Sequence, residues 1–247
     1  MKIKDTKSGG SSASSRNNAL DSKDILVIIV AAGSGSRFGG DLPKQFQPLG
    51  GRPLLMHTVE SFRSALGSAR IVVVLSAGMR ETWENLCREY KFISPAIVDG
   101  GSTRWQSVKN AIDASGSEAD MILVHDGARP LVSGDVIHRV ADAVADGMSA
   151  VVPGVAVTDS LRLVTSEGST SVSRTPYRAV QTPQGFDGKL LREAYRLPFR
   201  EDFTDDASVV ESAGAYVHIV DGDTTNIKIT HPLDIAIAEL IMLRRGV

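Results

Sequence analysis

The sequence predicts an α/β fold: a mostly parallel central sheet flanked by helices, with a β-hairpin arm projecting from it. Three observations carry this. Unbroken apolar runs rich in β-branched residues (ILVIIVAA from Ile25, IVVVLS from Ile71, MILVH from Met121) have the pattern of strands buried on both faces. They alternate with stretches of helical apolar spacing, as right-handed strand–helix–strand crossovers require. One segment, Thr158 to Gln181, breaks the alternation; it is rich in Ser, Thr and Val around a Ser-Glu-Gly-Ser-Thr turn and reads as a hairpin.

The elements follow in order. Residues 1–23 are rich in Ser, Gly, Asn and Lys, lack the apolar core of a secretory signal, and read as a disordered leader. The first strand begins at Ile25 and runs into a glycine-rich, basic turn. PLLMHTVESFRSAL, from Pro53 to Leu66, has helical spacing, with Pro53 suited to a first turn. A second strand, IVVVLS, precedes a helix around RETWENLCREY. AIVDGGSTRWQSVKNAI is a short strand, a Gly100-Gly101 turn and a helix capped by Ser102 or Thr103. MILVHDGARP is a buried strand ending at Asp126 and Arg129; a helix from Ser133 to Asp146 and the strand SAVVPGVAV follow. Beyond the hairpin come helices near Asp187 to Leu197 and in FTDDASVVESAG, the strand YVHIV, and a last helix from Leu233 to Arg245. Residues 24–247 thus form a single domain. Residues 158–181, too poor in large apolar side chains to build a core, form an arm that meets a second subunit.

Composition narrows the function. A hydrophobic content of 42% and a charged content of 23% are ordinary for a soluble globular chain of 247 residues. The net charge of −2 gives no electrostatic case for a nucleic-acid partner. No apolar run reaches the roughly 20 residues of a membrane span, so no membrane partner is expected. The lone Cys87 leaves no internal disulfide and suits the cytoplasm; within its helix it reads as a small buried hydrophobe.

In open parallel sheets, ligands sit at the carboxyl ends of the strands. Gly33 to Lys44, Asp99 to Ser107 and Asp126 to Arg129 all fall at such ends. Small residues let backbone N–H groups approach an anion, and Arg37 and Lys44, seven positions apart, add full positive charge. The plain reading is a nucleoside triphosphate site. A phosphate-binding GxxxxGK[ST] loop is absent. The dinucleotide fingerprint fails as well, because Gly33 and Gly35 are followed by Gly39, one position late. The five histidines show no metal-ligand spacing, and His125 reads as a packed core residue. Asp159 and Asp206 read as helix or turn caps.

Eight stretches, AAGSGSRF, PKQF, VDGGSTRWQSV, VHDGARP, VTDS, QTPQGF, FTDDAS and TNIKIT, occur in the order found in one family. On them the chain closely resembles the 2-C-methyl-D-erythritol 4-phosphate cytidylyltransferases. The resemblance implies a nucleotide-diphospho-sugar-transferase-like fold and CMP transfer from CTP to a sugar-alcohol phosphate, methylerythritol phosphate. It also implies Mg²⁺ or another divalent cation, with no side-chain ligand assigned and Asp126 a candidate, and a homodimer interlocked by the arm. By the same resemblance, Arg37 and Lys44 stabilise triphosphate charge, and Ala31, Ala32, Gly33, Ser34 and Gly35 hold the nucleotide through the backbone. Gly101 and Ser107 lie against the cytosine. Asp126 and Arg129 face sugar phosphate and nucleotide. Ser160, Arg174, Thr182 and Lys228 bind the second substrate, with Ser160 and Arg174 reaching over from the partner's arm. Family members often carry Thr where Ser160 stands, and some an acidic residue where Ser102 stands. Around Arg174 the chain departs from the family pattern at Ser173 and at Tyr177-Arg178. The alternatives are a ribitol 5-phosphate cytidylyltransferase, or a catalytically silent nucleotide-binding protein on the same fold.

Overall fold

The computed structural model describes residues 20, 22–33, 42–116 and 118–246. The chain begins with β1 (Ile25–Ala31), followed by a short 3-10 turn (Lys44–Phe46), β2 (Pro48–Leu49), β3 (Arg52–Pro53) and α1 (Leu54–Ala65). Then come β4 (Arg70–Leu75), α2 (Arg80–Glu89), β5 (Ala96–Asp99), α3 (Arg104–Ala114), β6 (Met121–Asp126), α4 (Gly134–Ala145) and β7 (Ala150–Ala156). The hairpin is β8 (Leu161–Thr165) and β9 (Gly168–Val172). The chain closes with β10 (Arg178–Val180), β11 (Gln184–Asp187), α5 (Gly188–Ala194), α6 (Asp206–Ser212), β12 (His218–Asp221) and α7 (Pro232–Arg245).

The main sheet of the described residues has eight strands in the order β10-β7-β11-β6-β1-β4-β5, with β12 on β7. β1 lies parallel to both β4 and β6, and β4 lies parallel to β5. β10 and β11 run antiparallel to β7, and β11 also runs antiparallel to β6, so the sheet is mixed but mostly parallel. The registers bring Val30 beside Asp126, and Leu75 beside both Ala31 and Asp99. Four carboxyl-terminal strand ends, of β1, β4, β5 and β6, therefore meet at one level.

β1 is central because its two faces feed two cores. Ile25, Val27 and Ile29 pack with Leu55, Val59 and Phe62 of α1 and with Val136, Ile137 and Val140 of α4. Leu26 and Ile28 pack on the other face with Val108 and Ala111 of α3, Leu191 of α5 and Val210 of α6. That is why its apolar run is continuous rather than alternating. A third cluster seats Ala238 and Met242 of α7 on Leu49, Leu54, Leu131 and Ile229. Cys87 is buried in the first core, and burial pushes its thiol up to about 11, as expected of an inert packing residue.

Three expectations are revised. Leu20 is only 8% exposed and joins the first core, so packing begins inside the expected leader; a large apolar side chain near β1 finds apolar neighbours there. The rest of that leader, residues 1–19 and 21, lies outside the described residues. The arm is shorter than 158–181: Arg178–Val180 leave it and pair with Gly154–Ala156 of β7. Pairing with a central strand satisfies backbone groups that an arm would leave to water. Pro53 ends β3 and caps α1 rather than entering its first turn.

Candidate active site

The ends of β1, β5 and β6 open onto a cleft of ≈ 350 Å³, within the usual range for small-ligand sites. Its wall includes Ala31, Ala32 and Gly33 from the end of β1, Lys44 and Gln45 from the 3-10 turn, Gly101 to Arg104 and Ser107, and Asp126, Ala128 and Lys228. Small residues let these ends converge. A Cβ on Gly100 would stand 2.5 Å from the Ala32 Cβ, and one on Gly101 would stand 2.0 Å from Gln106 Cγ. Any side chain at either position displaces the loop that walls the cleft. Ser107 fixes this loop: its Oγ accepts from the Gly101 N–H at 3.1 Å and donates to the Thr103 carbonyl at 2.9 Å. Thr103, rather than Ser102, caps α3 by accepting from the Gln106 N–H at 3.0 Å.

Asp126, at the tip of β6, is the electrostatic centre. Lys228 Nζ lies 2.8 Å from its carboxylate, Arg104 Nε 3.6 Å and Arg129 Nε 3.7 Å. Burial alone would raise the Asp126 pKa; the charges of Arg104, Lys228 and Arg129 outweigh it and hold the carboxyl well below its usual range. Arg104 in turn donates at 2.6 Å to Asp206, which is fully buried and also accepts at 2.6 Å from the Tyr195 hydroxyl. Burial would lower the Arg104 pKa, but Asp206 and Asp126 more than offset it and keep the guanidinium charged. Lys44 Nζ donates to the Ile229 carbonyl at 3.2 Å, which draws the 3-10 turn to the residue after Lys228.

Below the cleft, one hydrogen-bond chain sets the height of Asp126. The Arg129 carbonyl can only accept, so His125 Nε2, 3.1 Å away, carries the ring proton. Nδ1 is then an acceptor for the Thr182 hydroxyl at 3.0 Å. The Thr182 oxygen accepts the Asp126 N–H at 3.0 Å. His125 is fully buried, and burial lowers its pKa to about 4. The unfolded chain therefore binds this proton between pH 6.5 and 4 while the folded chain does not. Folding stability contributed by neutral His125 is complete above pH 6.5 and falls by about 3 kcal/mol as the pH drops toward 4. Denaturant unfolding of wild type and His125→Asn across this window checks it: the slope of stability against pH flattens in the variant.

Of the residues expected from sequence, Ala31, Ala32, Gly33, Lys44, Gly101, Ser107, Asp126 and Lys228 line one cleft. Arg129 lies beside them through its contact with Asp126, and its NH1 donates to the Asn226 carbonyl at 2.8 Å. Thr182 sits beneath the cleft, 5% exposed, with its hydroxyl engaged as above. Ser160 and Arg174 lie outside the lining, on the exposed arm, where Arg174 NH1 donates to the Thr158 carbonyl. Arg37, Ser34 and Gly35 lie outside the described residues.

Sequence reasoning missed Arg104 and Asp206. A cation in the first turn of a helix opposes the helix dipole, so Arg104 needed an anionic partner, and that was a usable signal. Asp206 was read as a cap. The cap of α6 is its neighbour Asp205, which accepts from the Ser208 N–H at 2.9 Å. His125 is the packed core histidine that was expected, its ring edge-on to Phe62 at 4.9 Å.

A sequence model of the family 2-C-methyl-D-erythritol 4-phosphate cytidylyltransferase matches residues 25–244. The protein of that name from Bacteroides thetaiotaomicron is 47% identical over 217 residues, spanning 87% of this chain and 98% of that one. The Phocaeicola vulgatus protein of the same name is 46% identical over the same shares of each chain. The crystal structure of the Thermus thermophilus protein superposes with a TM-score of 0.69 at 35% identity, covering 87% of this chain and 96% of that one. The 4-diphosphocytidyl-2C-methyl-D-erythritol synthase of Anaerococcus prevotii gives a TM-score of 0.78 at 26% identity, over 92% and 99%. On the whole-domain match and on the cleft that its motifs build, the chain belongs to the 2-C-methyl-D-erythritol 4-phosphate cytidylyltransferase family.

Proposed function

We propose that the protein transfers CMP from CTP to 2-C-methyl-D-erythritol 4-phosphate and releases pyrophosphate. The observation that carries this is the cleft: tight backbone turns at Gly100 and Gly101 on one side, and Lys44, Arg104 and Lys228 gathered around it. A phosphate-monoester oxygen attacks the α-phosphorus of CTP, and the bond to pyrophosphate breaks. A monoester with a second pKa of about 6 is mostly dianionic at neutral pH, so the attack needs no general base. The site is consistent with that, since both ring nitrogens of His125 are occupied and Cys87 is buried in a helix of the core. Catalysis rests on positioning two anions and neutralising charge as pyrophosphate forms.

Asp126 is the one carboxylate among the described cleft-lining residues, and no group of three His, Cys, Asp or Glu among the described residues could hold a metal by itself. Mg²⁺ takes one or two protein carboxylates and fills its shell with phosphate oxygens and water. The residues present therefore fit an ion carried largely by the triphosphate, with Asp126 as its protein ligand. Such an ion supplies further neutralisation of the leaving pyrophosphate.

The hairpin supports a homodimer. Its strands pair only with each other among the described residues, and Leu163 and Val164 are 59% and 75% exposed. Arg174 and Ser160, on that arm, complete the second substrate's site in the partner subunit. No described helix is long and apolar enough to cross a membrane. One cysteine and this phosphoryl chemistry suit a cytoplasmic enzyme.

Pyrophosphate release is the test, with each nucleoside triphosphate paired with methylerythritol phosphate or ribitol 5-phosphate. Uracil reverses cytosine's donor and acceptor and mispairs with the groups that hold the base edge, so kcat/KM for CTP exceeds that for UTP by about 10²-fold or more. Purine triphosphates turn over more slowly still. Comparable turnover with ATP or GTP, or a preference for ribitol 5-phosphate, overturns the reading.

A further inference from the structure

Four buried side-chain atoms among the described residues have no hydrogen-bond partner: Gln45 Nε2, Trp105 Nε1, Arg129 Nε and Asn226 Oδ1. Gln45 alone of the four lines the cleft. It is 2% exposed and sits in the middle of the 3-10 turn. That turn is fixed on every side. Phe46 is buried against Trp83, with ring centroids 6.0 Å apart. Gln47 Nε2 donates to the Leu42 carbonyl at 2.7 Å, and Lys44 Nζ donates to the Ile229 carbonyl. The backbone that carries Gln45 is therefore fixed, and its buried amide keeps an N–H without a partner. An unpaired buried donor is costly, and one that faces a ligand cleft is accounted for when the ligand supplies the acceptor.

We infer that Gln45 Nε2 donates a hydrogen bond to a non-bridging oxygen of the bound nucleotide's triphosphate. The neighbouring residue selects phosphate over base: Lys44 brings its charge to the same turn, while the Gly101 loop held by Ser107 forms a separate part of the wall. Lys44 supplies charge without direction; the amide supplies direction without charge, so it fixes which phosphate oxygen faces the lysine. The inference rests on the nucleotide reading of the cleft.

The test substitutes Gln45→Met, which keeps the length and removes the donor. Binding of CTP and of cytidine is titrated calorimetrically, and the KM for CTP is measured. The expected result is a CTP affinity about tenfold weaker and a KM raised to match, the scale of one lost hydrogen bond to a charged acceptor. Cytidine affinity is unchanged, and the ligand-free variant unfolds at the wild-type temperature or above, because an orphan donor has been removed. Gln45→Glu, of the same shape, places a carboxylate against the phosphates and weakens CTP by about 10²-fold; it also serves if Gln45→Met does not fold. Wild-type affinity for CTP in the variants overturns the inference. Equal losses for CTP and cytidine overturn it too, since the amide then serves the base or the fold. Failure of wild type itself to bind CTP removes the nucleotide reading instead.

Discussion

Lys44→Ala lowers kcat by about 10²-fold or more, the scale of a preorganised donor lost where transition-state charge develops. The loss falls on kcat more than on KM, because negative charge moves onto pyrophosphate only as the bond breaks. Lys44 lies in a short turn, and its amine donates to the Ile229 carbonyl. Removal of Arg104, by contrast, strands Asp206, which is fully buried. Steady-state pyrophosphate release, with thermal unfolding to confirm that the variant is folded, checks the prediction. A near-normal kcat sinks the assignment of Lys44 to the triphosphate.

Arg174→Ala and Lys44→Ala are each nearly inactive alone, and together they regain up to about a quarter of wild-type activity. Arg174 lies on the arm and Lys44 in the cleft of the same chain, and the cleft lining does not include Arg174. If the arm reaches a partner, a mixed dimer has one site with both defects and one with neither. Random pairing makes half of all dimers mixed, each with one of its two sites intact, which gives the quarter. Co-refolding the two variants and assaying the mixture is the measurement, with tagged subunits to count mixed dimers. Inactivity despite abundant mixed dimers places Arg174 in its own subunit's site. A monomer with full activity removes the arm from catalysis.

The sequence by itself determined the buried strands β1, β4, β6 and β7, their approximate limits and where ligands gather. Ile25–Ala31 and Met121–Asp126 declare themselves because burial on both faces forces continuous apolar runs, a constraint written locally. Glycines at strand ends are legible for the same reason: Gly100 and Gly101 stand where a Cβ has no room. Ala31, Ala32, Gly33, Gly101 and Asp126 line one cleft because each sits at such an end.

What only the tertiary structure decided is which charges face each other. Asp126 meets Arg104 from α3 and Lys228 from the loop before α7, and Arg104 meets Asp206, 102 positions away. Periodicity and capping rules reach a few residues along the chain, so they could not say which of Asp205 and Asp206 turns outward to cap α6 and which is buried on Arg104. Nor could they place Thr182 beneath Asp126, or end the arm before Arg178. Those outcomes follow from strand order. β11 inserts between β6 and β7, carrying Thr182 under the cleft and drawing Arg178–Val180 onto β7, because the sheet satisfies its backbone groups only with that strand in place.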